Sequence, residues 1–296
     1  MAAASLAVTS WGLGNVMARF IALSGPSLSF DRQWFGAAYT LALVASTGRR
    51  LTWAAIRASV PGGVAFGLNQ LLFFTAVKHT AVTNATIIAA LQPALLLCVV
   101  GRFFGERVRA VDVLATVTAM AGTAVVVLGG RGAGGDHLSG DLLAGAALVM
   151  WAAYFVASKR TRRRLGTIEY QAALTLVAAV TVTPVALIYG STLWSGWGTA
   201  GWVVLLALGP GGGHYLMNWA HEHISLSLAS LLTLATPVVT MAAAAAILGD
   251  HISAGQILGT AVVIGSLTVV ILHSTGGERR GFRRPKCDNR TFRPSG

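Results

Sequence analysis

Long apolar segments alternate with short polar breaks along almost the whole chain. Ten such segments lie at residues 3–22, 32–47, 60–77, 82–101, 110–128, 141–158, 169–189, 201–220, 225–247 and 254–273. A helix needs about 20 apolar residues to cross a hydrocarbon layer of about 30 Å. Backbone groups in lipid must be paired within their own segment, which favours helices over open strands. The pattern therefore predicts an all-α polytopic membrane protein with ten transmembrane helices.

Composition supports this class of protein. Hydrophobic residues make up 54% of the 296 residues, and charged residues make up only 11%. A soluble domain carries about 25% charged residues. The chain has too few ionised groups to cover a water-exposed surface, so we expect lipid around it.

The net charge of +12 is distributed unevenly. With the N-terminus on the cytoplasmic side, 18 Lys and Arg residues fall in the cytoplasmic loops and tail, and four fall outside or near the outer face: Arg19, Arg32, Lys78 and Arg131. The positive-inside rule accounts for this bias and argues against a nucleic-acid partner. We therefore expect a multi-pass protein of the cell (inner) membrane with both termini cytoplasmic. A basic tail at 276–296, without regular structure, is expected to contact anionic lipid.

An internal repeat is visible at a nearly constant offset. A shift of 144 residues aligns Pro93 with Pro237, Gly105 with Gly249 and Glu106 with Asp250, and a shift of 140 aligns Trp11 with Trp151. Five helices per half is an odd number, so the second half enters the membrane in the opposite orientation. Inverted repeats of this kind are frequent in secondary transporters. The sequence predicts a first five-helix repeat at 1–130 and an inverted second one at 131–275.

Several motifs resemble those of the EamA-type transporters of the drug/metabolite transporter superfamily. They are Trp11-Gly12-x-Gly14-Asn15 with Arg19, Asn84-Ala85…Pro93…Gly105-Glu106-Arg107, Gly140…Trp151-Ala152-x-Tyr154…Lys159-Arg160, and Leu226-Ser227-Leu228-Ala229-Ser230…Pro237…Leu248-Gly249-Asp250. The resemblance covers residues 5 to 273 and departs from the family at Asp250, where Glu is usual. It implies two inverted five-helix repeats, a central cavity, and export or exchange of small metabolites such as amino acids.

Polar and aromatic residues within the apolar segments are the candidates for substrate binding. Polar groups in a membrane face the bundle interior or water, because facing lipid is costly. The predicted substrate-binding residues are Trp11, Asn15, Asn69, Gln70, Phe73, Gln92, Trp151, Tyr154, His214, Tyr215 and Asn218. Replacing Trp11 or Asn218 with alanine is expected to abolish uptake without lowering the folded yield. The alternative for these residues is interhelical hydrogen bonding alone.

Prolines and glycines mark the candidate hinges. Pro93 and Pro237 each remove a helical hydrogen bond, from the carbonyls of Ala89 and Thr233, and indicate related bends. Pro210 and Gly211 belong to a Gly-Pro-Gly-Gly-Gly segment of poor helix propensity, which indicates either close packing or an opened helix. Static kinks are the alternative to hinge motion.

The sequence predicts no cofactor, no metal site and no catalytic residue. His221-Glu222-His223 clusters metal-ligand types, but adjacent helical positions point about 100° apart. No carboxylate lies convincingly at the membrane midplane, which argues against a cation antiporter. A neutral, zwitterionic or weakly anionic solute fits better. The alternative class is a non-transporting membrane sensor or a metal-dependent membrane enzyme, and the oligomeric state stays open.

Overall fold

The computed structural model of the protein describes residues 1–80, 85, 88–104, 109–129, 138–191, 196–249 and 251–281. These residues form α-helices joined by short turns, and no strand occurs among them. The helices are α1 (Ala2–Met17), α2 (Gly25–Ser46), α3 (Trp53–His79), α4 (Gln92–Phe104), α5 (Ala110–Gly129), α6 (Leu138–Thr161), α7 (Thr167–Tyr189), α8 (Gly196–Ala220), α9 (Leu226–Leu232), α10 (Thr236–Leu248) and α11 (Ala254–Gly281).

The helical segments lie where the apolar pattern places them. A 3₁₀ turn, Thr233–Ala235, connects α9 to α10, so that residues 226–248 form one interrupted helix. Four segments in the described part of the chain are long and apolar enough to cross a membrane: Trp53–His79, Leu138–Thr161, Thr167–Tyr189 and Leu226–Leu248. The prediction of an all-helical, multi-pass membrane protein is confirmed at this level.

The second helix begins seven residues earlier than the predicted start at residue 32. Ser24 caps it, its hydroxyl accepting a bond from the Ser27 amide, and Pro26 occupies the first turn. Serine before the helix and proline just inside it are strong start signals. The predicted segment was too short because Ser24 to Ser29 is not apolar. As a result Arg32 lies in the second turn of α2 and not at its edge.

Other boundaries shift in similar ways. α3 begins at Trp53, capped by the Thr52 hydroxyl, and α11 continues to Gly281, six residues into the predicted tail. Asn84, Gly105, Glu106, Arg107, Arg131, Asp250 and the tail from residue 282 lie outside the described residues.

The helices pack in a small number of extensive pairs. α3 lies against α6 and α7, α1 against α8, α2 against α7, and α5 against α11. Glycines allow the closest approaches: a Cβ on Gly14 would lie 2.5 Å from the ring of Pro210, and one on Gly259 would lie 2.6 Å from the Gly122 carbonyl. Small residues at crossings are typical of membrane helix pairs, where packing replaces the hydrophobic effect.

Large apolar side chains remain on the outside of this bundle. Leu114 and Leu258 on the α5–α11 pair are both more than 60% exposed, as are Leu187 and Ile188 at the end of α7. Exposed apolar area on this scale would be unfavourable in water. It fits a bundle whose outer surface faces lipid hydrocarbon.

Candidate functional site

A cavity of about 190 Å³ lies among α1, α3, α4, α6, α8 and the interrupted helix, with one side chain contributed by α2. A single water needs roughly 10–15 Å³ on this measure, so the cavity has room for a small metabolite. Eight of the predicted binding residues line it: Trp11, Asn15, Asn69, Gln70, Phe73, Gln92, Trp151 and His214. The α6 wall consists of Ala144, Ala147, Leu148 and Trp151, spaced at helical periodicity on one face.

Aromatic rings form one side of the cavity. The rings of Trp11 and Trp151 meet edge to face with centroids 5.4 Å apart, and the His214 ring lies 4.8 Å from Trp11 and 5.6 Å from Trp151. The Trp11 indole N–H donates to the Pro210 carbonyl at 3.1 Å, which fixes the ring against α8. Edge-to-face contacts of this kind hold rings in defined orientations.

A chain of polar groups also lines the cavity. The Arg32 Nη1 donates to Gln70 Oε1 at 2.5 Å, the Gln70 amide donates to Asn69 Oδ1 at 3.2 Å, and the Asn69 amide donates to the Ala147 carbonyl at 2.9 Å. This chain links α2, α3 and α6 across the bundle. The Arg32 guanidinium also lies 5.9 Å from the centroid of the Phe74 ring.

The two interrupted helices meet at the cavity. Pro93 and Pro237 each occupy the first turn of an α-helix, α4 and α10, directly after a break. The Thr233 hydroxyl donates to Gln92 Oε1 at 3.0 Å, so a hydrogen bond joins the two breaks. The Thr233 carbonyl accepts from the Thr236 amide within the 3₁₀ turn. This carbonyl is therefore paired within the turn, whereas the sequence predicted it to be free. The bond to the third residue of a 3₁₀ turn uses the Thr236 amide, so the missing N–H of Pro237 is not needed.

The glycine-rich segment does not open α8, which is continuous from Gly196 to Ala220. A Cβ on Gly213 would lie 2.9 Å from the Trp11 indole nitrogen, so close packing against α1 explains this glycine. Pro210 lines the cavity, and the Gly209 carbonyl accepts from the Ser10 hydroxyl at 2.7 Å. Close packing therefore accounts for Gly213 but not for Gly209 or Gly212, where an added Cβ would meet no atom within 4 Å.

Three predicted binding residues, Tyr154, Tyr215 and Asn218, lie outside the cavity. Tyr154 and Asn218 are fully buried and hydrogen-bonded to each other at 3.0 Å. The side-chain oxygen Oδ1 of Asn218 also accepts from the Ser158 hydroxyl, and the side-chain nitrogen Nδ2 donates to Gln171 Oε1 at 2.7 Å. Asn218 thus joins α6, α7 and α8 in one buried polar network.

This network continues to the α6–α7 connection. The Arg162 Nε donates to the Asn218 backbone carbonyl at 3.0 Å, and its Nη2 pairs with Glu222 at 2.6 Å. His221 Nδ1 lies 3.0 Å from the Ser158 hydroxyl. Burial, with the nearby Lys159 and Arg162 charges adding to it, lowers the pKa of His221 to about 3, so this imidazole is neutral at physiological pH.

The His221-Glu222-His223 segment spreads its side chains in three directions. His221 is buried, Glu222 pairs with Arg162, and the exposed His223 stacks on Trp219 with centroids 4.1 Å apart. No group of three His, Cys, Asp or Glu side chains that would hold a metal ion exists within the part of the chain that the structure describes.

A second cavity of about 300 Å³ lies between α2, α7 and α8. Tyr215 and Gly211 line this cavity and not the first one. Its polar lining includes Gln33, Thr40, Gln171 and Thr175, and the Thr40 and Thr175 hydroxyls are 2.8 Å apart. Arg32 and His214 line both cavities and therefore form the partition between them.

Arg32 is the residue of the site that sequence reasoning missed. The apolar segment at 32–47 starts at Arg32, and this start places the residue near the outer face. The signal that would have found it is the Ser-Gly-Pro start at residues 24–26, which extends the helix by two turns and moves Arg32 inwards.

The all-helical bundle, its apolar outer surface and its internal cavity define a polytopic membrane protein that encloses a small-molecule-sized site. The sequence profile of the EamA-like transporter family matches residues 1–128 and 138–272. The chain therefore belongs to the EamA-like transporter family, which confirms the resemblance of its motifs.

Two individual proteins are similar to this chain. The "Aromatic amino acid exporter YddG" of Ancylobacter novellus is 31% identical over 188 residues, a match that covers 60% of this chain and 62% of that relative. A crystal structure of a protein with 24% sequence identity superposes with a TM-score of 0.80, covering 93% of this chain and 97% of that one. This superposition supports the fold alone.

Proposed function

We propose that the protein is a secondary transporter that exports or exchanges small amphipathic metabolites, such as amino acids, by alternating access. The observation that carries the proposal is the internal cavity, which combines aromatic rings with unpaired polar groups. Ligand sites in proteins have this character, apolar walls with a few placed polar groups. The related exporter of aromatic amino acids supports a solute with an apolar body.

The substrate is proposed to contact residues from both halves of the chain. Cavity-lining positions correspond under the 144-residue shift, and the corresponding pairs are Gln70 and His214, Ala89 and Thr233, Ala90 and Leu234, and Gln92 and Thr236. Trp11 and Trp151 correspond under the 140-residue shift. This correspondence supports two inverted repeats around the cavity, as does the match of the family profile to 1–128 and 138–272.

The helix contacts are also consistent with two related halves, in which α1, α2 and α3 correspond to α6, α7 and α8, α4 corresponds to α9 and α10, and α5 corresponds to α11. The packing of α3 on α6 corresponds to that of α8 on α1, and the packing of α3 on α7 corresponds to that of α8 on α2. In three further packed pairs, α2–α7, α5–α11 and α4–α9, each helix packs against its own counterpart in the other half. A two-fold relation between the halves would generate this pattern.

Alternating access is proposed to use the two helix breaks. Pro93 and Pro237 follow breaks that touch through the Gln92–Thr233 hydrogen bond. Irregular backbone at membrane depth is tolerated where it lines a cavity. Pro210 and Gly211 lie in a continuous helix, so their role in motion rests on the helix bending and not on a preformed break.

The non-transporting alternatives, a sensor or a metal-dependent membrane enzyme, have less support. A metal-dependent enzyme needs ligand side chains in one place, and the described residues contain no such group. The candidate chemistry is instead spread around a cavity between helices, as a carrier requires.

The transport proposal is tested by solute counterflow. Purified protein in liposomes loaded with unlabelled L-phenylalanine should accumulate radiolabelled L-phenylalanine several-fold above protein-free liposomes. A competition panel of amino acids, sugars and nucleosides then defines the solute range. Counterflow with no member of the panel would overturn the proposal.

We propose that both termini are cytoplasmic, since 18 of the 22 Lys and Arg residues then lie on that side. Reporter fusions after residues 50, 135 and 280 test this orientation. We expect cytoplasmic signals at 50 and 280 and a periplasmic signal at 135. The opposite signals at 50 or 280 would refute it.

A further inference from the structure

We infer that Arg32 is the anion-binding residue of the cavity and that it binds the carboxylate of an amphipathic solute. The inference rests on the proposed transport function and names the chemical class that the same site selects. It requires an uncompensated cation at the cavity wall, a geometry suited to a carboxylate, and an apolar region beside it.

Arg32 is buried without an acidic partner. The residue is 6% exposed, yet none of the ion pairs among the described residues includes it; those pairs are Arg49–Glu169, Arg109–Asp112 and Arg162–Glu222. Its sequence neighbour Asp31 lines neither cavity. A buried charge that lacks a counter-charge is costly, so its retention calls for a transient anionic partner.

The guanidinium has capacity left for such a partner. Nη1 is bonded to Gln70, whereas Nε is buried without any hydrogen-bond partner. Two further nitrogens at the same cavity, Gln92 Nε2 and His214 Nδ1, are also buried and unpartnered. A carboxylate offers two acceptor oxygens that match the planar fork of an arginine.

The surroundings specify the rest of the solute. Phe74 lies beneath the guanidinium, and Trp11, Trp151 and Phe73 line the cavity beside it. A molecule with a carboxylate at one end and an apolar body of aromatic size satisfies both regions. Because Arg32 lines both cavities, the carboxylate of a solute in either cavity would lie next to the Arg32 side chain.

A ligand series that differs only in its charged ends tests the inference by isothermal titration calorimetry. 3-Phenylpropionate keeps the carboxylate of phenylalanine without the amine, and phenethylamine keeps the amine without the carboxylate. We expect wild-type protein to bind L-phenylalanine and 3-phenylpropionate roughly 10- to 100-fold more tightly than phenethylamine, the range of a hydrogen-bonded charge. Equal or tighter binding of phenethylamine would overturn the inference.

Arg32→Gln should abolish this preference, whereas Arg57→Gln, at an exposed position on α3, should leave it unchanged. Arg32→Lys retains the charge but not the fork, and we expect a preference reduced several-fold; it serves also if Arg32→Gln does not fold. A preference that persists in both Arg32 variants would exclude Arg32 as its source. Carboxylate-selective binding that depends on Arg32, found without counterflow, would refute transport and leave the anion site standing.

Discussion

Trp11→Ala is expected to lower counterflow at least tenfold while the protein still folds. The substitution removes the ring contacts with Trp151 and His214 and the hydrogen bond to the Pro210 carbonyl, all at the cavity wall. An aromatic pair contributes about 0.5–1.5 kcal/mol beyond its buried area, and 1.4 kcal/mol corresponds to a factor of ten in affinity. The ring contacts with Trp151 and His214 lie within the protein and affect its stability. The expected effect on counterflow comes from the ring surface lost to the solute, because one aromatic contact together with its buried area exceeds about 1.4 kcal/mol.

Trp53→Ala is the matched control, because Trp53 is 70% exposed at the start of α3 and lines neither cavity. Trp11→Phe keeps a ring but not the indole N–H, and we expect intermediate activity. Initial counterflow rates are compared at equal amounts of monodisperse protein. A normal initial counterflow rate in Trp11→Ala would show that the Trp11 ring is not part of the substrate-binding site.

Asn218→Ala is expected to destabilise the protein by about 2 kcal/mol or more, and thereby to lower its folded yield. The change leaves the Tyr154 hydroxyl and the Gln171 side-chain oxygen without a partner, and it leaves the Ser158 hydroxyl with His221 alone. An unsatisfied buried group costs about 1–3 kcal/mol. Interhelical hydrogen bonds in membrane proteins average only about 0.6 kcal/mol, because the reference state finds other partners. Three bonds lost in one buried network still give about 2 kcal/mol, or roughly 4–8 °C in Tm.

Asn15→Ala provides the control for this effect. Asn15 is exposed to the cavity and makes one side-chain hydrogen bond, to the Thr240 hydroxyl at 3.1 Å. We expect its Tm to remain within about 2 °C of the wild type, on the scale of a surface substitution. Thermal unfolding in detergent and the monodisperse fraction on size exclusion measure both variants. If Asn218→Ala loses counterflow but keeps the wild-type Tm, the prediction that Asn218 binds the substrate would be supported instead.

The contrast between His214 and Asn218 illustrates the limit of reasoning from spacing. The two residues lie four apart on α8 and therefore share a face. They are nevertheless separated by about 6 Å along the helix axis. At His214 the neighbouring helices leave a cavity, whereas at Asn218 α6 and α7 close over the side chain with Tyr154 and Gln171. Periodicity identifies the inward face but not the depth at which space remains.

The sequence by itself determined the class of protein, the approximate positions of the helical segments, the family, and eight of the side chains that line the cavity. These properties depend on local composition, on apolar segment length and on side-chain type, which are read along one chain. Only the tertiary structure decided that Arg32 lies on the partition between two cavities, that the Pro93 and Pro237 breaks touch through Gln92 and Thr233, and that Tyr154 and Asn218 form a buried network. Each of these depends on how far one helix extends past another and on which side chains fill the space between them. Packing of several helices sets those quantities together, and no single segment encodes them.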